Sequence, residues 1–252
     1  MSEINVVVSQ NKLHWIRGEL QSFFRELSSA QSTVTCSECP EIFNINVAFN
    51  KNYKNEVLAI IKKMVCNAYC LVAKKEYLEK CIPAVGIEKG KRDTLIRALV
   101  SFDSDNDRKI VLNALKIGKI FNVDGFYNFK LGLLRNSWDD LCVLAKENAS
   151  FAPTSDSSFD LLLRFLLSTV EPKNETVSVT KKNDGYAVRN ETEVELCSKM
   201  SAVELIDTLV DIAPVEIVCD ETVVDGKLIS RLNGIFELKR VNNLLYFCEN
   251  KQ

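Results

Sequence analysis

An internal repeat near the C-terminus restricts the fold more than any other feature of the chain. ELIDTL (204–209) and KLISRL (227–232) align at an offset of 23 residues, which pairs Leu205 with Leu228, Ile206 with Ile229, Leu209 with Leu232 and Ile212 with Ile235. Apolar residues at this spacing lie along one face of a helix. Each predicted helix leads into an apolar run ending in cysteine, VEIVC (215–219) and LLYFC (244–248). ELKRV (237–241) is a further strand candidate within the second unit. A strand buried on both faces reads as a continuous apolar run, and a helix joining two such strands is the crossover of a βαβ unit. Upstream, TVSVT (176–180) and YAVRN (186–190) flank KKNDG and predict a hairpin, with Asp184-Gly185 supplying the positive φ of its turn. Residues 172–252 are therefore expected to form a small α/β sheet domain in the order β-β-α-β-α-β.

The remainder of the chain predicts an α+β protein. INVVV (4–8) reads as a strand, 12–29 as an amphipathic helix carrying Leu13, Ile16, Leu20, Phe23, Phe24 and Leu27, and FNINVAFN (43–50) as a half-exposed strand. Residues 1–50 thus form an N-terminal β-α-β segment. Residues 51–171 read as a run of helices. A stripe from Val57 to Val72 marks a helix over 52–80, which Pro83 and Gly86 end. Leu95, Ile96, Leu99 and Val100 mark the next, and Asp105 or Asn106 is the expected cap for a helix KIVLNALKIGKIF. Two more are predicted at 125–148 and 157–170, separated around Pro153. The expected organisation is 1–50, 51–171 and 172–252.

Composition bounds the function. The 252 residues are 46% hydrophobic and 26% charged, ordinary values for a globular protein with a real core. No stretch reaches the roughly 20 apolar residues of a membrane helix: LLLRFLL is interrupted by Arg164. The start, MSEINVVVSQNKLHW, lacks the pattern of a secretory signal. A cytoplasmic protein without membrane insertion is expected, and its nine cysteines are expected to be reduced thiols. Cys36-Ser37-Glu38-Cys39 has zinc-ligand spacing but no second CxxC or histidine pair. The weak alternative is a composite four-thiolate site formed by Cys36, Cys39, Cys66 and Cys70. His14 is the only histidine, which excludes multi-histidine chelation and leaves no nucleophile motif beside it. With nine glycines and no phosphate-binding loop, nucleotide hydrolysis is not expected. No catalytic residue and no cofactor is assigned.

Charge is unevenly placed. Residues 51–130 hold 16 Lys/Arg against 9 Asp/Glu, whereas 171–252 hold 10 against 15. The plainer reading of this asymmetry is solvated helix faces; the alternative is an acidic partner or contact between the two regions. Lys89, Lys91, Arg92 and Arg97 cluster in the basic region, so a nucleic-acid-associated role is one alternative. A second alternative uses Asp220, Glu221 and Asp225, at the carboxyl end of the predicted strand VEIVC, for ligand binding or acid–base work. The competing assignment is capping of the following helix.

The segment NVDGFYNFKLGLLRNSW (122–138) is the most distinctive. Asp124 is the expected N-cap of a helix beginning at Gly125, with Phe126, Phe129 and Leu133 along one stripe and Leu134, Trp138, Leu141 and Ala145 along the next. Both stripes are expected to be buried, with Lys130 and Arg135 at their edge, stems packed and charges in water. The element Asp124-Gly125-Phe126-x-x-Phe129-Lys130-Leu131 resembles the E-G-F-x-x-F-R-L element of the YtxC-like sporulation proteins of endospore-forming Firmicutes. The order around it is similar too: a helical middle, then LLLRFLLSTVEPKNETVSV, then the closing αβ run. The resemblance extends over about residues 50–252, with Asp124 standing for Glu and Lys130 for Arg. It implies a cytoplasmic, sporulation-linked protein with no defined activity. The function expected is a non-enzymatic protein-interaction role with an unidentified protein partner, and Asp124, Gly125, Lys130, Arg135, Asp220, Glu221 and Asp225 are the candidate binding residues.

Overall fold

The computed structural model describes residues 1–82, 88–149, 156–170, 172, 176–182, 185–192, 194–220 and 224–241. In chain order it begins β1 (Ser2–Ser9), α1 (His14–Arg17), α2 (Leu20–Ser29), β2 (Ser32–Glu38), β3 (Ile42–Phe49) and α3 (Lys54–Asn67). A π-helical turn (Ala68–Ala73) then leads into α4 (Lys74–Cys81), α5 (Lys89–Ser101), α6 (Ser104–Ala114), β4 (Ile120–Asn122), α7 (Val123–Lys130) and α8 (Gly132–Ala149). The chain continues with α9 (Asp156–Leu167), β5 (Thr176–Lys182), β6 (Gly185–Asn190), β7 (Glu195–Met200), α10 (Ala202–Ile212), β8 (Glu216–Asp220), α11 (Gly226–Ile235) and β9 (Leu238–Val241). This is a mixed α+β protein with two small sheets. It divides into two compact units, each drawn from two stretches: 1–80 with 104–141, and 81–103 with 142–252. The helical stretch 51–171 of the sequence reading is shared between them.

The first unit is built on the sheet β2-β3-β1-β4. β1 runs antiparallel to β3, from Ser2 opposite Phe49 to Ser9 opposite Ile42, and β4 lies parallel to β1, Asn5 opposite Ile120. Alternation along the strands sends Ile4, Val6 and Val8 of β1 and Ile45, Val47 and Phe49 of β3 to the buried face. α2 buries Phe23 and Leu27, and α3 buries Val57, Ile61, Met64 and Val65. Three expectations are corrected here. β2 is a strand absent from the β-α-β reading: STVTCSE is almost wholly exposed, so no buried face marks it. The helix 12–29 is broken at Gly18, between α1 and α2. The helix expected over KIVLNALKIGKIF instead begins at Ser104 and ends at Ala114, and Ile120–Asn122 is β4.

The second unit carries the sheet β7-β6-β5-β8-β9, in which β5, β8 and β9 are parallel and β6 and β7 antiparallel. The repeat is expressed as two helix-to-strand steps, α10 to β8 and α11 to β9. Leu205, Ile206 and Leu209 are buried on α10 as Leu228, Ile229 and Leu232 are on α11. α10 starts with a capping box, Ser201 Oγ accepting from the Glu204 amide while the Glu204 carboxylate accepts from Ser201 N–H, and ends at Ala213, whose φ is 47°, before Pro214. The strand beside β8 is Leu238–Val241, and LLYFC lies outside the described residues. β7 adds one strand to the expected order; ELCSKM is exposed except at Met200. Gly185 opens β6, but its φ is not left-handed. A Cβ there would meet Lys199 C at 2.8 Å and Met200 O at 2.9 Å, so the position requires space rather than positive φ. Asp184 lies outside the described residues.

Candidate functional site

The distinctive segment lies in the first unit, and its local geometry differs from the sequence expectation. Asn122, not Asp124, is the N-cap: its Oδ1 accepts from Gly125 N at 2.6 Å. Gly125 keeps that cap close, since a Cβ would lie 3.1 Å from the same oxygen. Asp124, in the first turn of α7, accepts from Ser9 N and from Ser9 Oγ, both at 2.7 Å. It therefore ties the end of β1 to α7.

The helix expected over 125–148 is two helices. Leu131 (φ −103°, ψ 34°) separates α7 from α8. The two expected stripes do not both bury. Leu134, Trp138, Leu141 and Ala145 are core residues, but Phe129 is 84% and Leu133 75% exposed. Phe126 and Tyr127 are half-buried. Arg135 Nη2 donates to Asn128 O at 3.0 Å, satisfying a carbonyl in the last turn of α7, and its guanidinium sits 5.6 Å from the Tyr127 ring centre. Lys130 is exposed and makes no hydrogen bond or ion pair among the described residues.

Beneath this segment is an aromatic cluster. Tyr127 lies 4.9 Å from Trp15, 5.9 Å from Tyr69 and 6.3 Å from Trp138 between ring centres, and Phe126 lies 5.9 Å from Tyr69. Tyr69, in the π turn, donates its hydroxyl to Val123 O at 2.8 Å, which is how a buried phenol is accommodated. Burial, with the Asp124 charge, pushes the Tyr69 pKa well up, so it stays a neutral donor.

At the edge of the cluster Glu76 gathers four donors. Trp15 Nε1 lies at 2.7 Å, Lys12 Nζ at 3.0 Å, Lys80 Nζ at 2.5 Å and His14 Nε2 at 3.2 Å from its carboxylate oxygens. Burial alone would raise the Glu76 pKa; the hydrogen bonds from Lys80, Trp15, Lys12 and His14 outweigh it and hold the carboxyl far below its usual range. A carboxylate so saturated is an anchor for the 12–15 segment and has no free lone pair with which to act as a base. Nothing in the sequence signalled this group, because Lys12, His14 and Trp15 precede Glu76 by about sixty residues and only the fold unites them.

Deeper in the unit, Lys74 Nζ meets Asp107 Oδ2 at 2.7 Å, both side chains being almost fully buried. Trp138 Nε1 points at the same oxygen from 3.4 Å. An open groove of about 820 Å³, lined in part by Ile4, Phe49, Leu58 and Ile120, includes none of the predicted site residues.

The other candidates separate. Asp225 is the N-cap of α11, accepting from Lys227 N at 2.8 Å, as the capping assignment requires. Asp220 closes β8 and Glu221 lies outside the described residues. Cys36 and Cys39 are exposed near the end of β2, whereas Cys66 and Cys70 are buried within a helix, and among the described residues no group of three or more His, Cys, Asp or Glu is placed to hold a metal. The four-thiolate arrangement is not formed. The basic cluster is largely engaged within the second unit: Lys91 pairs with Asp156 at 2.6 Å, Arg92 donates to Ile82 O at 3.0 Å, and Arg97 pairs with Asp211 at 2.5 Å. Part of the charge asymmetry seen in the sequence is thus internal pairing.

Fold and site together describe an α+β protein with an aromatic-bedded, partly apolar surface at a helix break. Among the described residues no helix is long and apolar enough to cross a membrane. The chain matches no family model, no curated protein and no solved structure.

Proposed function

We propose that the protein is a non-enzymatic docking module whose contact surface is centred on Phe129 and Leu133, with Lys130 between them. The observation that carries this reading is the exposure of two large apolar side chains on either side of the Leu131 break. Burying a Leu or Phe side chain is worth about 1.5–3 kcal/mol, so leaving both in water forgoes a gain that a partner's surface recovers. The stacking of Tyr127 on Tyr69 and the Arg135 bond to Asn128 O fix the backbone of α7 that carries Phe129, which limits what has to be ordered on binding. Lys130 adds an unpaired cation that favours a protein partner with an acid beside its apolar contact.

The same residues, 124–131, carry the resemblance to the YtxC-like sporulation proteins. On that basis the protein is cytoplasmic, linked to sporulation, and acts through a protein partner. A role on nucleic acid is the weaker reading, because Lys91, Arg92 and Arg97 are already bonded to groups of their own unit. Co-purification from the producing cells tests the docking role. A specific protein should accompany the wild-type chain and be lost with Phe129→Asp and with Leu133→Asp. Retention of the same protein by both variants rejects the surface.

A further inference from the structure

Two thiols meet in the first unit where the helix changes its winding. Cys66 lies in the last turn of α3 and Cys70 in the π turn, with the sulfurs 3.8 Å apart and exposures of 2% and 0%. π-helical turns are rare and tend to be kept where a site needs them. Arg108 acts on Cys66 by charge and hydrogen bonding and is part of a polar chain: its Nη1 donates to Asn67 Oδ1 at 3.1 Å, and Asn67 Nδ2 donates to Glu19 Oε2 at 3.2 Å. Arg108, Asn67 and Glu19 are half-exposed.

Within the pair, one thiol gives up its proton more readily than the other. The hydrogen bond with Cys70 pulls the Cys66 pKa down, burial opposes it, and the charge and hydrogen bonding of Arg108 add to the lowering; Asp107 works against it. Cys70 moves the other way, as the proton-holding member. Asp107 is itself neutralised by Lys74.

We propose that Cys66 and Cys70 form a two-thiolate site for a soft monovalent cation of the cuprous type. Thiolates select soft ions. Two sulfurs with no third His, Cys, Asp or Glu grouped with them among the described residues suit linear coordination and not the four ligands of zinc. On binding, the two S–H protons pass to water, two sulfur–metal bonds form, and no electron is transferred. The resulting unit carries one negative charge, which the Arg108 guanidinium offsets. A linear S–metal–S unit holds its sulfurs somewhat farther apart than 3.8 Å, a change that small side-chain rotations supply.

The test uses the full chain with Cys36, Cys39, Cys81 and Cys197 changed to Ser, which removes the exposed and half-exposed thiols among the described residues. Anaerobic titration with cuprous ion against a bicinchoninate competitor should show one ion per chain and a sulfur-to-copper ultraviolet band. Adding Cys66→Ser or Cys70→Ser should abolish both. Arg108→Gln, which keeps the sulfurs, should weaken binding by about tenfold and keeps the test decisive should the serine variants misfold. Absence of tight binding by the folded chain, or binding untouched by Arg108→Gln and by either serine variant, overturns the site.

Discussion

Lys74 Nζ and Asp107 Oδ2 lie 2.7 Å apart with side-chain exposures of 0% and 1%, a sealed ion pair at the junction of the π turn with α4 and α6. Taking two charges out of water is costly, and removing one partner leaves the other buried without its counter-charge. Lys74→Met should therefore destabilise the protein by about 3–5 kcal/mol. Lys74→Met combined with Asp107→Leu should cost less than Lys74→Met alone, because no orphaned charge remains. Urea denaturation of the two variants checks the order; additive losses would contradict it.

Glu76 makes the fold acid-sensitive in a defined direction. Its folded-state pKa is depressed, so its contribution is fully present above the ordinary glutamate value of about 4.3. As pH falls below that value the unfolded chain takes up the proton first, and the contribution shrinks until the folded carboxyl itself titrates. Glu76→Gln should lower stability at neutral pH and flatten the stability profile below about pH 4.3. Melting temperatures of both proteins across that range measure it, and parallel profiles would contradict the assignment.

Gly185 is required by the approach of β7. A methyl group there meets backbone atoms of Lys199 and Met200 inside 3.0 Å, and backbone cannot swing aside as a side-chain tip can. Gly185→Ala should cost about 1–3 kcal/mol, the range of overpacking in a closely fitted site. Thermal denaturation reads the loss. A neutral result would show that β7 shifts freely.

Asp124 should behave as a structural tie. Ser9 donates to it twice, and hydrogen bonds to a charged group contribute about 1.5–3 kcal/mol. Asp124→Ala should destabilise by that order, whereas Lys130→Ala, at an exposed position, should stay within about 0.5 kcal/mol. Equal effects of the two substitutions would contradict the distinction drawn between them.

The sequence disclosed elements that bury one face and concealed those that do not. β1, β3, α10 and α11 were legible because Ile4, Val6 and Val8, or Leu205, Ile206 and Leu209, recur at the period of their element. β2 and β7 were missed because edge strands exposed along most of their length carry no such period, and β4 because three residues cannot show one. The 122–138 segment stood out from composition, but its register was misjudged at one residue. Leu131 breaks the helix, and Phe129 and Leu133 on either side of it face outward. The Glu76 cluster and the Cys66–Cys70 pair were beyond reach for different reasons. The first is assembled over long sequence distance, and the second matters only through a sulfur–sulfur separation that spacing cannot give.

The docking surface is tested most directly by placing a photo-crosslinking amino acid at position 129 and irradiating the producing cells. One discrete adduct, lost when Leu133→Asp is added and absent when the crosslinker sits at Asn136 instead, is the expected result. No adduct from position 129, or an identical set from both positions, would contradict a partner-binding role for Phe129 and Leu133.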